Sequence, residues 1–178
     1  MKKLGLIIIA FIIFCFIVNN NKTKEEYYTI PDIAIRLRIV ANSNNTYDQI
    51  IKQKVKDNIE KELIKLVTGK TVEEVRKLIN EDINMYEKIV IDTLEKLKYN
   101  KDLNIHFGNN YFPEKLYNGI YYEEGYYESL VITIGDGKGD NWWCILFPPL
   151  CNLEVTKGAN IEYKLFVKEL VDKYLFKK

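Results

Sequence analysis

The chain has 178 residues, enough for one domain with an appendage, and its 26 basic residues nearly balance 25 acidic ones for a formal net charge of +1. That balance offers no basic stripe for nucleic acid, and the three cysteines are too few for a disulfide scaffold. Thirteen tyrosines against four prolines indicate an ordered body rather than a disordered one.

Met1-Lys2-Lys3 is a positive start, and Leu4 to Val18 is an unbroken apolar run. As a helix the run covers roughly 22 Å, short of the ~20 residues that span a bilayer comfortably. Residues 1–18 therefore read as an export signal or an uncleaved membrane anchor, inserted through residues 4–18. No A-x-A site follows, and Phe14 before Cys15 argues against lipidation. Residues 19–30 are polar and make a tether, which places the body, residues 31–178, outside the cytoplasm.

Ile33 to Ala41 alternates, with Ile33, Ile35, Leu37 and Ile39 on one face and Arg36 and Arg38 on the other. This predicts a half-buried strand with two outward arginines. A turn follows, in which Asn45 and Asp48 have N-cap spacing. The helical period predicts a first helix over Thr46 to Val67, closed by Gly69. Thr71 and Glu74 form a capping box for a second, Val72 to Lys98, and the short connection predicts an αα-hairpin. Leu103 to Phe107 alternates as a strand that Gly108-Asn109-Asn110 is expected to end. Tyr111 to Tyr127 is densely aromatic and is expected to run as loop and edge strand.

Leu130 to Ile134 and Trp142 to Phe147 are apolar runs joined by Gly135 to Asn141, which reads as an antiparallel hairpin. Alternation places Trp142, Cys144 and Leu146 on one face, with Trp143, Ile145 and Phe147 on the other. Pro148 and Pro149 stop the second run. Lys157 to Asn160 is a turn, and Ile161 to Phe176 is a closing helix. The pattern predicts an α+β fold in two layers, a mostly antiparallel sheet packed against an αα-hairpin and a C-terminal helix.

Few residues in the chain fall into patterns that carry chemistry. Gly135-Asp136-Gly137-Lys138-Gly139-Asp140 matches neither a phosphate loop nor a dinucleotide fingerprint, and its glycines suit a tight turn. His106 is the single histidine, so it lacks a second imidazole to share a metal. Cys144 and Cys151 lack C-x-x-C spacing; buried small side chains, a structural disulfide or a reactive pair all remain open. Arg36, Arg38, Asp48, Lys54 and Asp57 cluster as solvated charges rather than as paired acid–base carboxylates. No metal or cofactor is expected.

Three stretches carry a resemblance. Ile35 to Ser43 with Asp48-Gln49 and Lys54 to Asp57, then Phe112-Pro113 with Tyr117, and finally Ile134 to Cys151 together resemble the stage II sporulation protein R family. The last, I-G-D-G-K-G-D-N-W-W-C-I-L-F-P-P-L-C, is long and chemically unusual. Arg38 departs from the pattern, in which histidine is common at that place. The resemblance implies a protein made in the forespore and exported into the space between the two septal membranes. There it would act as a ligand for the membrane-embedded aspartic protease of the mother cell, which matures the precursor of sigma factor E. It implies no catalysis. Candidate receptor-binding or motif residues are Arg36, Arg38, Asn42, Asp48 and Asp57, and Asn141, Trp142, Trp143, Cys144, Pro148, Pro149 and Cys151. Core packing is the competing role for the tryptophans. The competing function is an extracytoplasmic hydrolase or thiol enzyme using His106 or Cys144 and Cys151.

Overall fold

A computed structural model describes residues 28–29, 33–117, 120–151 and 169–174. The apolar segment 4–18, most of the tether, the turn at Lys157 to Asn160 and most of the closing helix lie outside the described residues. In order, the elements are β1 (Tyr28–Thr29), β2 (Ile35–Val40), α1 (Thr46–Val67), α2 (Val72–Glu81), α3 (Ile83–Lys96), β3 (Leu103–Phe112), β4 (Lys115–Tyr117), β5 (Ile120–Tyr122), β6 (Gly125–Ile134) and β7 (Asn141–Phe147). Residues 169–174 are also helical.

Local chemistry sets the helix boundaries. The Asn45 side chain accepts from the Asp48 backbone N–H at 2.8 Å and opens α1. Thr71 and Glu74 close a capping box on α2. Gly69, at φ 75°, turns the chain between the two. The expected second helix is two helices, broken at Asp82 with φ −102° and ψ 13°. Asp82 lies among Asn80, Glu81 and Asn84, and short polar side chains of this kind favour turns over helix interiors.

The main sheet has the order β3-β6-β2-β7. β2 runs parallel to β6 and antiparallel to β7, and β3 is antiparallel to β6. The expected hairpin between β6 and β7 is therefore corrected, because β2 lies between them. Their connection straddles the end of β2: the Gly139 N–H donates to Ala41 O at 2.9 Å and Lys138 N–H to Asn42 O at 3.0 Å. Skipping one strand means crossing about 9.6 Å, more than a two-residue turn spans. Gly108-Asn109-Asn110 does not end β3, which continues to Phe112 and pairs with β6 along its length. The expected aromatic loop contains β4 and β5, which form a small sheet with β1 in the order β1-β5-β4.

On one face of the main sheet Ile35, Leu37, Ile39, Leu130, Ile132 and Ile134 pack against Ile51, Val55, Ile59 and Leu63 of α1, with α2 and α3 alongside. Each such side chain contributes about 1.5–3 kcal/mol on burial. A register shift, in which Ile35 pairs with Phe147 but Arg36 with Ile145, sends both Leu146 and Phe147 into this helix-side core. That corrects the strict alternation expected for β7. The opposite, outer face carries a smaller cluster of Ala34, Tyr122, Ile145, Leu150 and Val171.

Candidate functional site

Arg36 corrects the expectation of two outward, solvated arginines, since it is fully buried on the outer face. Its neighbour on β6 is Ser129, which pairs with Gly108 of β3. These small residues leave room beside the long side chain. The guanidinium carbon lies 3.3 Å from the ring centre of Tyr127, 5.0 Å from that of Phe112 and 5.6 Å from that of Trp143. Phe112 and Tyr122 also meet Trp143 edge to face, at 5.9 and 5.0 Å. The guanidinium is thus in cation–π contact with these rings, an interaction that strengthens to about 2 kcal/mol when desolvated.

Arg38 is half-buried. Its Nη1 donates to Tyr111 O at 3.1 Å and its guanidinium lies 4.8 Å from the Phe112 ring centre. Burial draws its pKa down. No ion pair to a carboxylate forms at Arg38 among the described residues.

Asn42 and Asp48 belong to a polar joint between β2, α1 and the β6–β7 connection. Asp48 Oδ2 accepts from Ser43 Oγ at 2.6 Å, Asn42 Nδ2 at 2.7 Å and Asn45 Nδ2 at 3.0 Å, and its Oδ1 accepts from Tyr99 Oη at 2.6 Å. Burial alone would raise the carboxyl pKa; the four donors outweigh it and hold Asp48 at about 2. Tyr99 moves above the ordinary phenol value through burial and then through its bond to Asp48. Asn42 Oδ1 accepts from Asp136 N–H at 3.0 Å, Asn44 Oδ1 accepts from Asp140 N–H, and Lys52 Nζ donates to Asp140 O at 2.9 Å. The glycines serve this joint: Gly135 and Gly137 have φ of 58° and 63°. A Cβ at Gly139 would run into the Ser43 carbonyl.

Trp142 packs partly buried on the helix side, with Lys56 Nζ 5.2 Å from its ring centre, whereas Trp143 joins the Arg36 cluster. Cys144 and Cys151 are joined in a disulfide, with Cα atoms 5.1 Å apart. Pro148 is buried and Pro149 half-buried in the turn it closes. Asp57 lies along α1, 3.5 Å from Lys56 Nζ. Asn141 is exposed at the start of β7, and His106 is exposed on β3. The candidates therefore do not converge on one site. Arg36 and Trp143 meet, Asn42 and Asp48 meet, and Asp57 stands apart from both.

Sequence reasoning missed Tyr99, Phe112, Tyr122 and Tyr127 as partners of the candidates. The aromatic density from Tyr111 to Tyr127 was the available signal. It also missed Arg76, whose Nε donates to both Glu128 oxygens at 2.7 and 2.9 Å and ties α2 to β6. Among the described residues no cluster of His, Cys, Asp and Glu could hold a metal ion, and no helix is long and apolar enough to cross a membrane.

The model of the family described as stage II sporulation protein R (spore_II_R) matches residues 31–157. The chain belongs to this family. The stage II sporulation protein R of Bacillus subtilis (strain 168) is 40% identical over 159 residues, covering 89% of this chain and 68% of that protein. No solved structure matches. The matched residues contain β2, the joint around Asp48, the ring cluster and the disulfide, and leave out β1 and helical residues 169–174. The family is named for a stage of sporulation, which places the chain in that process.

Proposed function

We propose that the chain is an exported sporulation signal that activates a membrane-embedded aspartic protease in the adjacent mother cell, so that the sigma-E precursor is processed. Membership of the stage II sporulation protein R family carries this reading. In it, residues 1–18 direct export or anchor the chain, and residues 31–178 act in the space between forespore and mother-cell membranes. The protein is a ligand rather than an enzyme. It drives the receptor toward its active state by binding that state more tightly than the inactive one, since a ligand shifts an equilibrium only by its differential affinity.

The disulfide between Cys144 and Cys151 agrees with an oxidising location and leaves neither sulfur as a free thiolate for catalysis. The test is reconstitution in a non-sporulating host that makes this chain, the protease and the precursor. Cleavage that requires export of the chain, and that survives His106→Ala, is expected. Export without cleavage, with all three proteins present, would reject the ligand reading. Loss of activity in His106→Ala with the fold intact would favour a hydrolase.

A further inference from the structure

β7 ends in a turn that feeds both faces of the sheet. Pro148 and Pro149 lead into Leu150, which is buried on the outer face with Ala34, Tyr122, Ile145 and Val171. Cys151 follows and packs, half-buried, against the helix-side core together with Cys144. Helical residues 169–174 sit at this same end of β7. Val171 is fully buried in the cluster with Leu150, and the Tyr174 ring meets the Phe147 ring edge to face at 5.5 Å. Among the described residues one backbone hydrogen bond, Leu150 N–H to Ile145 O at 3.1 Å, ties the turn back to β7. The covalent tie is the disulfide, whose partners stand 7 positions apart. It restrains this turn directly, whereas the sheet and α1 to α3 are held together by the large core.

We propose that the disulfide is a redox latch for helical residues 169–174. The oxidised pair fixes the turn and seats the helix; the reduced pair releases it. Cys144 and Cys151 are both half-buried, which leaves the bond open to attack by an outside thiolate. In closing, the two protein thiols pass two electrons and two protons to a donor disulfide, which leaves as two thiols. In opening, an external dithiol reverses the exchange and is itself oxidised to a disulfide. Displacing Leu150 takes away the partner of Val171, so local opening of the helix rises while the large core stays closed. Linkage runs both ways: the factor that the bond adds to seating of the helix is the factor that seating adds to the bond. The moment of closure rests on the export reading above, in which the thiols meet an oxidant only outside the cytoplasm. The coupling itself rests on the packing alone.

The experiment uses the purified full chain carrying Cys15→Ser, so that Cys144 and Cys151 are the cysteines that remain. Amide hydrogen exchange is compared with and without excess dithiothreitol, in peptides covering residues 169–174 and α1. Reduction is expected to speed exchange at 169–174 by about tenfold or more with α1 unchanged, since exchange follows local opening. The second arm sets the disulfide against a glutathione buffer. Val171→Ala, which weakens the seat from the helix side, should shift the thiol–disulfide equilibrium several-fold toward the thiols. Asp172→Asn, exposed on the same helix, is the control expected to leave that equilibrium unchanged. Unchanged exchange at 169–174 after reduction would overturn the proposal. Exchange that rises equally in α1 would also overturn it, by making the bond a staple for the whole fold. So would a Val171→Ala equilibrium equal to that of the parent chain. If Val171→Ala fails to fold, reduction of the parent chain decides. Both arms use this chain alone; failure of the ligand reading would instead show as absent precursor cleavage in the three-protein host.

Discussion

Arg36 and Arg38 leave β2 on the same face, yet one ends fully buried inside a set of aromatic rings and the other half-buried between the Phe112 ring and the Tyr111 carbonyl. The difference is steric. Gly108 and Ser129 flank Arg36, while Val131 pairs with Arg38 and His106 lies beyond it. Replacing Arg36 by alanine removes the cation and leaves a void among Phe112, Tyr127 and Trp143, at an expected cost of roughly 3 kcal/mol. Urea denaturation of the exported variant measures this, and Arg36→Met, which refills the volume, should recover part of the loss. Asp48 gives a pH signature. Its pKa is about 2 against an ordinary 3.8, so its contribution is complete above pH 4 and is lost as pH falls from 4 toward 2. Asp48→Asn should lower stability at pH 7 by roughly 2 kcal/mol. Its urea midpoint should then fall less steeply than the wild type's between pH 4 and pH 2.5.

At the scale of elements, the β6–β7 connection and the disulfide hold two ends of the same strand. The Gly139 backbone lies against the Ser43 carbonyl, so Gly139→Ala forces the connection away from the end of β2. The expected loss is roughly 1–3 kcal/mol, read as a lower melting temperature. The disulfide closes a loop of sequence separation 7, and restricting so short a loop in the unfolded chain contributes about 2 kcal/mol. Serine at both Cys144 and Cys151 should lower stability by that amount, seen as a shifted denaturation midpoint, with the fold retained. Here the limits of sequence reading become physical. Caps and the first helix were legible because Asn45 with Asp48, and Thr71 with Glu74, act within one turn of chain, whereas the break at Asp82 was not. The α+β class followed from periodicity alone. Strand order was not legible, because a glycine-rich connection is equally suited to a hairpin or to a step over one strand. Whether an arginine on an alternating strand meets solvent depends on Phe112 and Tyr127, far along the chain. The same separation hid Tyr99 as the partner of Asp48.

For the whole molecule, the division of labour between the two sheet faces matters most. The helix-side face holds the large core and makes the body stable. The outer face carries the aromatic rings around Arg36 and the smaller apolar cluster of Ala34, Tyr122, Ile145, Leu150 and Val171. The most direct measurement adds purified exported protein to the outer side of membranes that contain the protease and reads precursor cleavage against ligand concentration. Saturable activation by the wild type, unaffected by His106→Ala, is the predicted result. Cleavage that does not change on adding folded, oxidised protein would contradict the account.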